Sequence, residues 1–426
     1  MELLIYLILF LLVLIVSSTT NKLLPFLPLP LVQILLGIVI GLFLPNTDFH
    51  LNTELFLALV IGPLLFRESE EADITAILKH WRIIVYLIFP VIFISTLSLG
   101  GLSHLLWLSL PLAACLAVGA ALGPTDLVAF ASLSERFSFP KRVSNILKGE
   151  GLLNDASGLV AFQVALTAWT TGAFSLGQAS SSLIFSILGG FLIGFLTAMT
   201  NRFLHSFLLS VRATDIASEL LLELSLPLVT FFLAEEVHVS GIIAVVVAGI
   251  LKASRFKKIT LLEAQVDTVT ETVWHTVNFM LNGSVFVILG MELEMIAEPI
   301  LTNPIYNPLL LLLSLVTLTF VLFAIRFVMI YGYYAYRTRR LKKKLNKYMK
   351  DMLLLTFSGV KGTVSIATIL LIPSNLEQEY PLLLFLVAGV TLVSFFTGLL
   401  VLPHLSDEQE ESKDYLMHIA ILNEVT

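Results

Sequence analysis

The sequence predicts an all-α, polytopic membrane protein that crosses a bilayer thirteen times, and three observations support this prediction. Of the 426 residues, 57% are hydrophobic and only 13% are charged. Apolar blocks of about 20 residues, the length that a helix needs to cross a bilayer, recur along the chain. Lys and Arg residues collect between alternate blocks, as they do on the cytoplasmic side of membrane proteins. Little of the chain is left for a soluble domain.

The predicted spans follow the apolar blocks in chain order. The N-terminal block has neither a basic leading segment nor a cleavage site of small residues, so it is interpreted as a retained first span and not as a signal peptide. The single cysteine, Cys115, excludes an internal disulfide. The spans are residues 2–18, 24–44, 53–66, 82–101, 105–131, 144–170, 180–201, 214–234, 239–252, 271–290, 308–335, 352–373 and 380–402.

The distribution of basic residues predicts the topology. If the N-terminus is outside, all but two of the 25 Lys and Arg residues fall on inside connections. The largest cluster, from Arg337 to Lys350, is interpreted as a topology anchor that faces anionic lipid, and not as a nucleic-acid patch. Outside loops carry acids such as Asp48 and Glu235 instead. The chain is therefore predicted to lie in the plasma (inner) membrane with a short cytoplasmic tail, 404–426.

Five of the ionisable residues inside the predicted spans are candidates for function, because a charge is costly there and a functional role is the default hypothesis. Two are basic, Arg326 and Lys361, and three are acidic, Asp126, Glu150 and Asp155. With all five ionised the set carries one net negative charge. One bound monovalent cation or one proton would neutralise it.

The motif GEGLLNDASGLV at residues 149–160 has its polar side chains on two faces of a helix. At about 100° per residue, Glu150 and Asn154 share a face, whereas Asp155 points elsewhere. Glu150 can therefore pair with a fixed base while Asp155 faces a different cavity.

Glycine and proline predict two helix breaks at membrane depth. GPTD at 123–126 interrupts the fifth span, and SGVKG at 358–362 interrupts the twelfth. If the seventh span is a linker helix at about 179–202, the rest forms two inverted six-helix repeats at about 1–172 and 214–403. Spans 5 and 12 then occupy corresponding places, and their breaks meet near the bilayer midplane, as in secondary-transporter sites.

Seven segments together make the chain resemble the monovalent cation/proton antiporters, specifically their NhaP-like sodium/proton branch. Each short segment alone is weak, but TD, ND, an intramembrane arginine and a glycine–base–glycine piece in this order are specific. The segments are GPLLFRESEEADI (62–74), GPTDLVAF (123–130), EGLLNDASGLV (150–160), SGIIAVVVAGI (240–250), VFVILGMEL (285–293), AIRFVMIY (324–331) and SGVKGTVSIA (358–367).

The resemblance implies an NhaA-like antiporter fold with broken, crossing helices 5 and 12. The membrane transport domain would cover 1–403. A mobile core of helices at about 82–170 and 308–402 would move against interface helices at about 2–66 and 214–290. The protein would be a homodimer whose partners are monovalent cations, protons and membrane lipid.

The resemblance also implies the residues that bind the transported ion. Asp155 would carry either the cation or the proton, and Asp126 together with the Thr125 backbone would complete the coordination of sodium. An acidic gate residue is expected near the end of the third span, where both Glu68 and Glu70 are candidates.

Supporting residues follow from the same resemblance. Glu150 would pair with Arg326, and Asn154 would brace this pair. An asparagine before the aspartate is similar to the electroneutral branch, so one cation would exchange for one proton. Lys361 stands where relatives often have arginine, and it could offset either the broken helix ends or the acid cluster.

The expected activity is secondary active exchange of a monovalent cation for protons by alternating access, which would serve pH homeostasis. Sodium is the first expectation, with lithium and potassium as alternatives. No enzyme activity, cofactor or nucleic-acid partner is expected. One rival is an intramembrane aspartyl protease that uses Asp126 and Asp155, but its YD and GxGD motifs are missing. Another is a cation channel or ion-sensing membrane protein, but no repeated filter loop is seen.

Overall fold

The protein is helical throughout the part of the chain that the structure describes, and this part contains no strand. The structure is a computed structural model. It describes residues 2–23, 29–43, 53–126, 129–130, 137–172, 176–211, 215–253, 261–302, 306–340, 342, 344–372 and 379–406. Asp48 and most of the predicted tail, 407–426, lie outside these residues.

The helices follow the predicted spans, since each predicted span overlaps a helix. Six helices in the described part are long and apolar enough to cross a membrane. The helices are α1 Glu2–Leu23, α2 Leu29–Phe43, α3 53–70, α4 Ile74–Lys79, α5 Trp81–Leu106, α6 Leu112–Ala121, α7 Lys141–Thr171, α8 Leu176–Ser210, α9 Ile216–Glu236, α10 Gly241–Ala253, α11 Leu261–Thr302, α12 Pro308–Arg340, α13 Met349–Phe357, α14 Thr363–Ile369 and α15 Tyr380–Leu405.

Two of these helices contain a π turn. The turn in α5 covers Leu87–Val91 and includes Pro90, which has no N–H to donate and so favours a wider turn. The turn in α3 covers Leu57–Ile61, where no proline marks it. A π turn holds one residue more than an α turn, and such turns are frequent at functional sites.

The first helix group consists of α1–α3 and α8–α11. Within it α2 packs along α11, α10 packs against α3, α8 and α9, and α1 packs against α2. Gly37 of α2 and Gly290 of α11 let their helices approach closely, because a Cβ on either glycine would overlap the backbone of the other helix. Close approach at small residues is how helices associate in a membrane.

The second helix group consists of α5–α7 and α12–α15. Here α6 packs between α5 and α7, and α12 packs against α5, α13 and α15. The two short helices α13 and α14 both pack against α15. The second group therefore holds both predicted breaks, one after α6 and one between α13 and α14.

The two groups meet over an apolar surface. A pocket between them is lined almost entirely by hydrophobic side chains. From the first group these include Leu57, Ile61 and Ile242, and from the second group Leu159, Val364 and Leu371.

Candidate ion site

The first break follows α6. The helix ends at Ala121, and residues 122–126 (LGPTD) continue without helical structure. Pro124 explains the end, since proline disfavours helical geometry in the residue before it and has no N–H to continue the ladder. Helical bonding resumes after Asp126, whose carbonyl accepts from the Phe130 N–H at 3.0 Å.

The second break separates α13 from α14. Residues 358–362 (SGVKG) are not helical, and α14 starts at Thr363. The glycines on either side of Val360 and Lys361 weaken the helix because glycine loses more backbone freedom than other residues when it becomes helical. Both breaks therefore lie where the sequence predicts them.

The two breaks cross each other. The Asp126 N–H donates to the Val360 carbonyl at 3.1 Å, which joins the non-helical segments directly. A Cβ on Gly362 would overlap the Asp126 carboxylate. The crossing therefore needs glycine at this position, and the carboxylate lies against the backbone of the opposite segment.

Lys361 bridges the crossing with its side chain. Its ammonium donates to the carbonyls of Gly123 and Pro124 at 2.8 and 2.7 Å, and it is only 2% exposed. These carbonyls lie just beyond the C-terminal end of α6, where backbone acceptors have no helical partner and a positive charge is favourable. Of the two roles open for Lys361, these two hydrogen bonds support the one at the helix end. Its backbone N–H donates to Ser394 Oγ of α15 at 3.1 Å.

Glu150 and Arg326 form a buried ion pair. Two parallel hydrogen bonds of 2.6 and 2.7 Å join the guanidinium to the carboxylate. The side chains are 4% and 1% exposed. Arg326 Nε also donates to the Leu355 carbonyl at 2.9 Å, and a Cβ on Gly359 would overlap the guanidinium. The pair thus joins α7, α12 and α13 beside the second break.

Asn154 has a different partner from the one that the sequence predicts. Its Nδ2 donates to Thr125 Oγ1 at 2.7 Å, and in the described part of the chain it makes no hydrogen bond to Glu150 or Arg326. The expectation that Asn154 braces the ion pair stays a prediction. The amide reaches the first break instead, because Thr125 has left the helix and presents its hydroxyl.

Asp155 lies in α7, one residue after Asn154, and its side chain is outside the described residues. The backbone of this stretch still places it. Asn154 contacts Thr125, and a Cβ on Gly158 would overlap the ring of Pro124. The turn of α7 that contains Asp155 therefore packs directly against the first break.

Asp126 is buried at the centre of the crossing, with an exposed fraction of 4%. Its Oδ1 accepts from the Ala129 N–H at 2.8 Å, which caps the helical turn that follows the break. Thr125 is buried to the same extent. The predicted ligands Asp126 and Thr125 are therefore next to each other, facing the turn of α7 with Asp155.

The two gate candidates have different surroundings. The Glu68 carboxyl is close enough to Asp126 for their charges to repel each other, and its buried Oε2 has no hydrogen-bond partner among the described residues. Glu70 instead pairs with Arg67 and Lys252. Only Glu68 of the two is thus seen to interact with the crossing.

Chemically, the site offers oxygen atoms in a buried setting. Besides the carboxylates, Asn154 Oδ1 and Ser358 Oγ are buried and have no hydrogen-bond partner in the part that the structure describes. Hard monovalent cations prefer oxygen ligands, and buried acceptors without donors are costly unless a cation or water satisfies them. The described residues contain no His, Cys and carboxylate cluster of the kind that holds a resident metal.

Ser394 and the Leu355 carbonyl are contacts that the sequence did not reveal. Ser394 lies in an apolar stretch of α15 with no local signal, and a backbone carbonyl carries none at all. Ser358 sits inside the break motif, so its position could have drawn attention to its hydroxyl.

The comparisons with known proteins agree with this geometry. The family model described as "Sodium/hydrogen exchanger, transmembrane" matches residues 7–406. A Bacillus subtilis (strain 168) protein named "Sodium, potassium, lithium and rubidium/H(+) antiporter" is 36% identical over 401 residues, which cover 92% of this chain and 60% of that protein. A Bacillus pumilus protein of the same name is 34% identical over 412 residues, which cover 95% and 61%. The chain thus spans about three fifths of the length of these two relatives.

A solved structure shares the fold. The sodium proton antiporter MjNhaP1 from Methanocaldococcus jannaschii superimposes with a TM-score of 0.71 at 19% identity, covering 95% of this chain and 98% of that one. The likeness therefore extends over both helix groups.

Proposed function

We propose, from the premise that this chain belongs to the transmembrane sodium/hydrogen exchanger family, that it is a secondary transporter that exchanges a monovalent cation for protons. The observation that carries the proposal is the crossing of the two broken segments at Asp126 and Val360, packed against the turn of α7 that contains Asp155. Broken helices that meet at membrane depth and present charges and free oxygens are typical of ion-coupled transporters.

The transported cation is proposed to be sodium, with lithium and potassium as alternative substrates. Two relatives carry names that include all three ions. The five ionisable residues in the predicted spans support an exchange of one cation for one proton. Lys361 and Arg326 offset two of the three acids, so one negative charge remains for the transported ion.

Asp155 is proposed to hold the cation or the proton in turn. An apolar membrane environment disfavours an ionised carboxylate, so an acid at this depth binds a proton unless a cation takes its place. Asp126, Thr125 and the free Asn154 Oδ1 would supply further oxygens to the cation. Because one carboxylate cannot hold both ions well, the two gradients become coupled.

The movement is proposed to occur between the two helix groups, with the second group as the mobile core and the first as the interface domain of a homodimer. The apolar surface between the groups supports this arrangement. A mainly hydrophobic surface can slide with few directional bonds to break, such as the 3.4 Å hydrogen bond from the Tyr380 hydroxyl of α15 to Glu292 of α11. The ion pair and the Lys361 bridge lie within the second group and would move with it.

Glu68 is the proposed gate, in preference to Glu70. Glu68 belongs to α3 of the first group yet interacts with Asp126 of the second. A carboxyl in this place can receive the cation on its way to the crossing. Glu70 is already occupied by Lys252 and Arg67.

The topology is proposed to comprise thirteen spans in two inverted repeats, with α8 as the linker helix. The N-terminus would be outside, the C-terminus in the cytoplasm, and the plasma (inner) membrane the location. The asymmetry of Lys and Arg supports the orientation, and the corresponding breaks after α6 and α13 support the repeats. Exchange in this membrane would contribute to pH homeostasis.

Proton flux in proteoliposomes tests the proposal. We expect an outward sodium gradient to acidify the lumen of vesicles with the wild-type protein, because protons enter as sodium leaves. An inward gradient should make the lumen alkaline. Asp155→Asn should abolish this flux, because an amide carries neither ion as a carboxylate does. Asp215→Asn, which changes a fully exposed aspartate, is the matched control. Sodium-driven flux by the Asp155→Asn variant at the wild-type rate would rule out the assignment.

Two further measurements separate the rivals. An electroneutral exchanger should give the same flux whether or not the membrane potential is clamped. Single-channel currents would favour a channel, and cleavage of a transmembrane peptide would favour a protease. Either result would overturn the proposal.

A further inference from the structure

Five side chains of the first helix group form a closed ring away from the crossing. Arg67 Nη1 contacts Glu70 at 3.0 Å, and Lys252 Nζ contacts Glu70 at 3.2 Å. Lys252 Nζ also contacts Glu223 at 2.6 Å. Trp274 Nε1 donates to Glu223 at 2.8 Å, and the Arg67 guanidinium lies 5.8 Å from the centre of the Trp274 ring. This ring of residues links α3, α9, α10 and α11.

The ring is largely buried, and Arg67 also contacts the exposed carboxylate of Glu71 outside it, with Nε at 2.7 Å from Glu71 Oε1. Its charged side chains are between 6% and 15% exposed, and Trp274 is 1% exposed. Two positive and two negative charges alternate around it. Phe66, fully buried, fills the interior, with Lys252 Nζ 5.6 Å from the centre of its ring. Lys252 bridges both carboxylates, so removing it would leave two acids without a shared cation.

The ring holds one face of α3, and Glu68 lies on another. At about 100° per residue, Glu68 is about 160° from Glu70 and about 100° from Arg67. While Arg67 and Glu70 hold α3 against α10 and α11, Glu68 lies on a different face of the helix, where its buried Oε2 has no hydrogen-bond partner among the described residues. The orientation of Glu68 thus depends on how α3 is rotated.

We propose that Lys252 is a positioning residue for transport, which holds α3 through the ring so that Glu68 keeps its buried place on the other face of the helix. This inference rests on the proposed function. Lys252 does not touch the transported ion. It acts through Glu70 and Glu223 on the helix that carries Glu68. Its loss should therefore raise the KM for the cation more than it lowers the maximal rate.

Cation-dependent flux of the full chain in proteoliposomes tests the proposal. We expect Lys252→Met to raise the KM for sodium about tenfold, equivalent to ~1.4 kcal/mol of binding, with a smaller change in maximal rate. Lys252→Arg keeps a cation between the two carboxylates and should restore the wild-type KM. Glu219→Gln is the control, because Glu219 lies one turn from Glu223 on α9 but pairs with His205 outside the ring.

A double-mutant cycle decides whether the effect passes through Glu68. In a Glu68→Gln background, Lys252→Met should produce no further rise in KM, because the group that it positions is already neutral. Multiplicative effects in the double variant would overturn the proposal, as would a Lys252→Met variant that lowers only the maximal rate.

If Lys252→Met does not yield folded protein, Trp274→Phe replaces it. This change removes the hydrogen bond to Glu223 and keeps an aromatic ring in place, so a smaller rise in KM is expected, and an unchanged KM would overturn the proposal. Wild-type protein without sodium-driven flux would contradict the proposed function, whereas a functional wild type with insensitive ring variants would contradict only this inference.

Discussion

The crossing and the ring both bury charged residues, but they satisfy them differently. At the crossing, Lys361 donates to two backbone carbonyls, and Arg326 donates to one carbonyl as well as to Glu150. In the ring, Lys252 contacts the side chains of Glu70, Glu223 and Phe66. The charged side chains at the crossing are also more buried. Glu150 and Arg326 are 1% and 4% exposed, against 6% to 15% for the charged side chains of the ring.

The difference shows what each set of charges holds in place. A broken helix leaves unpaired backbone carbonyls within the membrane, whereas an intact helix leaves them only at its C-terminal end. The basic residues at the crossing therefore stabilise the backbone itself. The ring joins intact helices, and its charges set how those helices are rotated against one another. Loss of a charge should therefore lower the stability of the protein more at the crossing than in the ring. The smallest loss of stability is expected for a charge that is exposed to water.

The largest effect is expected for Arg326→Ala. The change leaves the Glu150 carboxylate buried without its partner and removes the donor to the Leu355 carbonyl. Breaking a buried ion pair from one side typically lowers stability by ~3–5 kcal/mol. Thermal unfolding in detergent should show a large drop in midpoint and a low yield, well beyond the drop for Lys252→Met.

The double variant Glu150→Gln and Arg326→Met sharpens this comparison. It removes both charges together, so it should be more stable than Arg326→Ala alone. An Arg326→Ala protein with wild-type yield and midpoint would show that the pair does not hold the break.

A smaller but selective effect is expected for Gly362→Ala. The new Cβ would overlap the Asp126 carboxylate, so the carboxylate or the segment that carries Gly362 must shift. Overpacking of this kind typically costs ~1–3 kcal/mol, and here the displaced atom belongs to the proposed ion site. Sodium-dependent proton flux should fall strongly while the protein still folds.

Gly332→Ala in α12 is the matched control, because a Cβ there meets no atom within 4 Å. It should keep wild-type flux. If both alanine variants transport equally well, contact between the two broken segments is not needed in the transport cycle.

The smallest effect is expected at Asp215, the fully exposed N-cap of α9. Its side chain accepts from the Ser218 N–H and hydroxyl, and these bonds lower the pKa of the Asp215 carboxyl below its ordinary value of 3.8. A lowered pKa means that the cap stabilises the helix above that value, and that this contribution is lost as the pH falls through the lowered pKa.

The midpoint difference between wild type and Asp215→Ala, followed from neutral to acid pH, checks this expectation. It should be small, constant at neutral pH, and should shrink at the acid end of the range. A difference that grows with acidity would mean that the carboxylate is not the stabilising form.

Local signals in the sequence predicted the elements well. GPTD at 123–126 and SGVKG at 358–362 break helices for reasons that lie within a few residues, so both breaks were found at the right places. Hydropathy placed the spans but shortened α11, predicted at 271–290 and observed as Leu261–Thr302. The helix extends past its apolar centre because the polar residues at its ends are compatible with helical structure and need no membrane.

Partners across the fold were harder to predict. Glu150 and Arg326 could be paired because opposite charges in a membrane have few alternatives. The acceptors of Lys361 are backbone carbonyls, which every residue has, so only the fold selects Gly123 and Pro124. The hydrogen bond from Asn154 to Thr125 was not predicted for a similar reason, because an amide can bond to almost any polar group within reach.

The ring was not predicted from the sequence, because the positions of its basic residues are already explained by the positive-inside rule. Lys252 and Arg67 were counted as basic residues of inside connections, a reading that explains them without any partner. Four helices must first pack together before Lys252 reaches both Glu70 and Glu223. In the sequence alone, a basic residue that sets the membrane orientation cannot be distinguished from one that fixes the rotation of a helix.

The Lys361 bridge also bears on ion selectivity. Its ammonium already engages the Gly123 and Pro124 carbonyls, so these rigid backbone oxygens are not open to a passing cation. At the proposed site an arriving ion would exchange its hydration shell for the Thr125 backbone oxygen and for carboxylate, hydroxyl and amide oxygens on side chains, and the spacing of side-chain oxygens adapts to different radii. The Lys361 ammonium would thereby broaden the range of alkali ions that the proposed site accepts.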